Sequence, residues 1–251
     1  MHKAAFLVYA LVVYGLFLAT FLYLIGFLGN VPGLPFTVDR GPGAPFAAAV
    51  VLDLALIALF GVQHSVMARQ GFKRRWTRIV PPPIERSTYV LFASLALIVL
   101  FLLWRPIPAV VWDLSGPTPR ALVWALFAAG WVIVLTSTFL IDHFELFGLS
   151  QVIRHARGGT PAAPRMRQPL FYRVVRHPLY SGFFLAFWAA PTMTAGHLLL
   201  ALGISAYILI AIRYEERDLV HLFGHDYESY RLRVGMLVPR FPGKTSRPPR
   251  K

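Results

Sequence analysis

The 251 residues are 57% apolar and only 14% charged, and the formal charge is +14. A soluble domain carries about 25% charged residues, so this composition excludes an ordinary water-soluble globule. The chain has no cysteine, which excludes disulfides, thiolate metal ligands and a cysteine nucleophile.

The apolar residues come in blocks and not with an amphipathic period, and a bilayer core about 30 Å thick needs roughly 20 of them in a helix. The first block runs from Ala4 to Leu28 and leaves through the turn Gly29-Asn30-Val31-Pro32-Gly33. It is too long for a signal h-region and no Ala-x-Ala-type cleavage site follows it, so it reads as a retained helix. Further blocks run from Phe46 to Met67, Ser87 to Trp104 and Ala121 to Ile141. A fifth apolar region, Leu179 to Ile212, is interrupted by Pro191 and Thr194-Ala195-Gly196-His197, which predicts a hairpin of two rather short arms. The expected fold is all-α: a polytopic transmembrane bundle of four long helices plus a C-terminal helical hairpin with a cytoplasmic cofactor pocket. A single domain is expected over residues 1–241, punctuated by Pro81-Pro82-Pro83 and Pro161-Ala162-Ala163-Pro164 in two loops. Residues 242–251, rich in Pro and Arg, read as a disordered basic tail.

Charge placement supplies the orientation. Arg69, Lys73, Arg74, Arg75, Arg78 and Arg86 lie between the second and third blocks. A second group from Arg154 to Arg176 precedes the hairpin, and a third from Arg213 onward follows it. The alternate loops carry only Arg40, or Arg105 and Arg120. The positive-inside rule then puts both termini and the basic loops in the cytoplasm. The positive charge serves topology and anionic lipid, and nucleic acid is not an expected partner.

With that topology, four polar clusters reach one membrane face. Helix two ends in Gln63-His64-Ser65 and helix four in Asp142-His143-Phe144-Glu145; the hairpin enters at Arg176-His177-Pro178-Leu179-Tyr180 and leaves at Glu215-Glu216. Ionisable groups at the membrane are costly and mark functional cavities. Asp142 and Glu145 are three residues apart, which would set them on one helix face. Asp53, inside helix two, is expected to make a structural hydrogen bond between helices, and His197 to cap the hairpin tip. No metal site is expected, because His64, Asp142 and His143 do not follow a recognised metal spacing.

The segment Arg176-His177-Pro178-Leu179-Tyr180-Ser181-Gly182, followed about 35 residues on by Glu215-Glu216, resembles the isoprenylcysteine carboxyl methyltransferase type of membrane methyltransferase. Tyr172 upstream and Gly224-His225-Asp226-Tyr227-Glu228-Ser229-Tyr230 downstream fit the same pattern, which covers roughly Gln168 to Arg233. Phe21 to Asn30, Gln63 to Arg69 and Asp142 to Leu149 extend the resemblance over nearly the whole chain. There it is to the methanethiol S-methyltransferases, bacterial membrane enzymes related to the NnrU proteins. The resemblance implies S-adenosylmethionine as methyl donor, a small volatile thiol as acceptor and a bacterial inner-membrane location. It implies cofactor contacts from Tyr172, Arg176, His177, Pro178, Tyr180, Glu215, Glu216, Tyr227 and Tyr230. Glu215 and Glu216 can neutralise cationic groups, Arg176 or His177 can meet a carboxylate, and the tyrosines offer faces for a sulfonium. His64, Asp142, His143 and Glu145 are the expected catalytic residues, with Asp142 orienting a histidine that deprotonates the thiol. The alternatives are a membrane methyltransferase for an isoprenoid or lipid acceptor, and a non-catalytic NnrU-like protein.

Overall fold

A computed structural model describes residues 2–160 and 166–240. The predicted tail 242–251 and the Pro161-Ala162-Ala163-Pro164 stretch lie outside the described residues. Five helices are long and apolar enough to cross a membrane: α1 (His2–Leu28), α2 (Phe46–Ala68), α4 (Glu85–Leu103), α5 (Pro117–Ile141) and α9 (Ala195–Phe223). Shorter helices are α3 (Gln70–Trp76), α6 (His143–Leu146), α7 (Leu149–Ala156), α8 (Pro178–Trp188) and α10 (His225–Arg233). The chain is an all-α, multi-pass membrane bundle.

The helices are apolar on every side, which is the pattern of helices surrounded by lipid. Val12, Leu22, Val51, Val62, Leu122 and Val132 all point outward, while Phe27, Leu100, Trp104, Trp131, Phe187, Leu200 and Ile208 meet in the main core. The indole of Trp104 donates to the Val38 carbonyl at 3.0 Å. Asp53 does make the expected structural bond, accepting from the Arg105 backbone at 2.9 Å at the end of α4.

The hairpin differs from expectation. Its arms are unequal: α8 has 11 residues and α9 has 29, about 16 and 43 Å at 1.5 Å per residue. The apolar run stops at Ile212, but Arg213, Glu215, Glu216 and Arg217 are good helix formers, so the helix continues past the apolar boundary. The α8 helix compensates for its length by packing very closely on α5. A Cβ on Gly182 would lie 2.7 Å from the Gly130 carbonyl oxygen, and one on Gly130 would lie 2.7 Å from the Ala186 nitrogen. Two glycines facing each other let the backbones touch, as small residues do between membrane helices.

One end of the bundle is tied by polar groups. Strands β1 (Val110–Asp113) and β2 (Thr192–Thr194) pair antiparallel; both lie where the sequence predicted only connections. Asn30 donates to Asp39 at 2.6 Å and accepts from Thr37 at 2.6 Å, and Thr194 donates to the other Asp39 oxygen. His197 does not cap. Its backbone N–H donates to the capping Thr194 hydroxyl, and its ring Nε2 lies 3.0 Å from the Phe187 carbonyl, tying α9 to the end of α8. The basic clusters and the candidate site lie at the opposite ends of the long helices.

Candidate active site

At the start of α8, Pro178 occupies the first helical turn, where its missing N–H leaves nothing unsatisfied. The residues before it are fixed by a passing segment. Val175 forms a parallel bridge with Gly235, Arg176 N–H donates to the Gly235 carbonyl at 2.8 Å, and His177 N–H donates to Met236 at 3.1 Å. Ser181 adds a hydroxyl bond to the Leu237 carbonyl at 2.7 Å. Residues 234–237 thus clasp the motif.

Glu216 is 7% exposed and is surrounded by donors. Its Oε1 accepts from Arg176 Nε at 2.7 Å and meets His177 Nε2 at 3.1 Å, while its Oε2 faces Arg231 Nε at 3.2 Å. Arg176 also donates to the Val234 and Arg231 carbonyls. The sequence reading aimed Arg176, His177 and Glu216 at a ligand; in the structure they are first bonded to one another. Glu215 differs: it is half exposed, and its one hydrogen bond among the described residues comes from the Tyr180 hydroxyl at 3.0 Å.

Tyr227 and Tyr230 are both 4% exposed and flank this cluster from α10. Tyr230 donates to the Tyr172 carbonyl at 2.5 Å, and burial pushes its hydroxyl pKa up to about 12. Burial also raises the Tyr172 and Tyr227 hydroxyls. The Tyr227 hydroxyl has no hydrogen-bond partner among the described residues.

The four expected catalytic residues do not form one group. His64 lies on the Glu215 side of the molecule: its ring stacks on Phe60 at 5.2 Å, meets Tyr89 at 4.9 Å and approaches Tyr207 edge-on at 6.2 Å. Its Nδ1 is buried and has no hydrogen-bond partner among the described residues. His143 has no contact with His64 and has both nitrogens engaged, Nε2 with the Tyr14 hydroxyl at 2.8 Å and Nδ1 with Thr138 at 2.8 Å. Thr138 donates its own hydrogen to the Leu135 carbonyl. Both ring nitrogens are thus held, one donating and the other accepting in the neutral ring.

The expected Asp142–histidine pair is not formed either. Helix α5 ends at Ile141, and Asp142 is extended and caps α6 by accepting from the Glu145 N–H at 3.0 Å. Glu145 pairs with Arg154 at 2.6 Å. The reason is local: Asp is a strong helix N-cap, so the sequence that looked like one helix end is a break and a restart. Among the described residues no three His, Asp or Glu side chains are placed to hold a metal ion. Tyr89, Tyr207 and Arg231 were missed by the sequence reading; Tyr207 and Arg231 fall within the span of the motif but outside its marker residues, and both tyrosines lie on apolar helices where an aromatic carries no signal.

No family model matches the chain, and no solved structure does. Curated proteins match strongly. A methanethiol S-methyltransferase of Mycobacterium tuberculosis is 54% identical, covering 95% of this chain and 98% of that protein. Methanethiol S-methyltransferase 1 of Bradyrhizobium diazoefficiens is also 54% identical, over 92% of this chain and 81% of its own. Nurim of Homo sapiens is 33% identical over 73% of this chain and 71% of its own. At such identity over almost the full length, with the motif residues clustered as described, the chain belongs to the methanethiol S-methyltransferase family.

Proposed function

We propose that the protein methylates methanethiol to dimethyl sulfide with S-adenosylmethionine as donor, at a site on the cytoplasmic side of the bacterial inner membrane. The observation that carries this reading is the half-exposed Glu215 carboxylate, held by Tyr180 and with spare acceptor capacity, together with His64, set against the Tyr89 and Tyr207 rings with an Nδ1 that has no hydrogen-bond partner among the described residues. The names of the relatives supply the acceptor.

The residues present fit the donor. A sulfonium and an ammonium need a carboxylate and aromatic faces, and Glu215, Tyr180, Tyr172 and Tyr227 offer them, the last with a free buried hydroxyl. Arg176, His177, Glu216 and Arg231 form the frame behind them and leave Arg231, with its side chain 45% exposed, able to meet a carboxylate. When bound, S-adenosylmethionine supplies an electrophilic methyl group. Even a cysteine thiol, with its pKa near 8.5, is only a few per cent ionised at pH 7, and a simple alkanethiol is a weaker acid still, so the acceptor needs a group to take its proton. His64 fills that role through Nδ1. Phe60 and Tyr207 keep water from it, which sustains the electrostatic effects of the site. A small neutral thiol reaches such a position from the lipid.

Headspace gas chromatography of purified protein in detergent, given both substrates, tests the reading. Dimethyl sulfide is expected from the wild type. Glu215→Gln is expected to weaken donor binding in calorimetry about tenfold or more, through loss of one charge-assisted contact. Absence of product from a wild type that binds the donor would remove the acceptor assignment; absence of binding would remove the enzyme reading.

A further inference from the structure

Arg86 stands at the first turn of α4 and was assigned no role by the motif. Its Nε donates to the Leu146 carbonyl at 2.7 Å, which fixes it to the α6 turn. Its guanidinium lies 4.8 Å over the Tyr89 ring, and the same ring packs 4.9 Å from His64. The terminal nitrogens of Arg86 make no hydrogen bond or ion pair among the described residues. Ser87, next in the chain, is fully buried against Gly148, so the backbone that carries Arg86 is held closely.

The charged and titratable groups around His64 come from three helices. From α2, Arg69 is engaged with Asp218 at 3.7 Å and with the Tyr214 ring at 4.1 Å. From α9 come Tyr207 and, beyond it, Glu215. From α4 come Tyr89 and Arg86. Lys73 of α3 and Glu85, the neighbour of Arg86 in the chain, also lie close to Arg86, and among the described residues Arg86 is the cation that packs on Tyr89 and forms no ion pair. A cation near an acceptor site lowers the energy of an anion that forms there, most strongly where water is excluded.

We propose that Arg86 is a positioning residue for the thiol acceptor: it holds Tyr89 against His64 and provides the positive field in which the thiol ionises. This rests on the methyl-transfer reading above. The S–H proton passes to His64 Nδ1, the electron pair stays on sulfur, and Arg86 offsets the negative charge that results. Arg86 takes no proton itself, since guanidinium stays charged at any working pH.

The test compares two acceptors on wild type, Arg86→Gln and Arg86→Lys. Methanethiol must lose its proton at the site, whereas methaneselenol is already ionised at neutral pH. Arg86→Gln is expected to lower kcat/KM for methanethiol about 100-fold, the scale of a misplaced catalytic group. The same variant should lose clearly less on methaneselenol, which keeps the charge to be offset but needs no proton transfer to His64, and should keep donor affinity in calorimetry. Arg86→Lys retains the charge and should recover at least part of the methanethiol rate; it carries the same comparison if the glutamine variant is unstable. Equal losses on both acceptors, or no loss on either, would overturn the proposal while leaving methyl transfer intact. A wild type that methylates neither acceptor would overturn both.

Discussion

Glu216 keeps Arg176 and His177 in place inside a region with little access to water. Glu216→Gln leaves two nearly buried donors without their anion, and breaking one side of a buried pair costs several kcal/mol. The expected loss is about 3 kcal/mol of stability, read as a lower melting temperature in detergent. Glu215→Gln, at a half-exposed residue, should melt like wild type; an equal drop in both variants would contradict the different roles given to them. His143 makes a second residue-scale prediction. Burial holds its pKa below the ordinary value, so the neutral ring is favoured in the fold. The unfolded chain then takes up a proton more readily. Its contribution to stability is complete above about pH 6.5 and is lost as pH falls below that value. Melting temperatures at pH 7.5 and 5.5 should show a drop that shrinks in His143→Asn, and a drop of unchanged size would exclude His143 as its source.

At the scale of elements, the crossing of α5 and α8 depends on two positions without a side chain. Gly182→Ala puts a methyl 2.7 Å from the Gly130 oxygen and 2.9 Å from the Val134 nitrogen. Backbone atoms cannot rotate away, so the helices must part, at about 1–3 kcal/mol. Because α8 carries Tyr180 and starts at His177, donor affinity should fall along with the melting temperature; calorimetry of the variant shows whether they fall together. The long helices were legible because an unbroken apolar run has one common explanation. The end of α9 was not, since helix formation outlasts hydrophobicity through Arg213 to Asp218. The break at Asp142 was hidden for a related reason: a cap residue and a helix-end carboxylate look alike in sequence. The motif showed which residues matter near α8, but its pairing within itself needed three dimensions. Arg176 and Glu216 are 40 residues apart, and the carbonyls of Gly235 and Met236 that fix the motif have no side-chain signature.

For the whole molecule, the positive-inside pattern predicts that loops alternate between compartments. The absence of cysteine makes single-cysteine labelling direct. Gly43→Cys, exposed after α1, should react with a membrane-impermeant maleimide on intact spheroplasts. Gly71→Cys, exposed in the basic α3 segment, should react only after lysis. The reverse result would invert the topology and put the site outside. The clasp of residues 234–237 on Val175 to His177 also bears on how the protein is made. Chains grow from the N-terminus, so the five long helices are synthesised before the clasp leaves the ribosome. The clasp can therefore close on Val175 to His177 only after all five long helices have been made, so the fixing of the motif follows, and cannot precede, the synthesis of the helices it anchors.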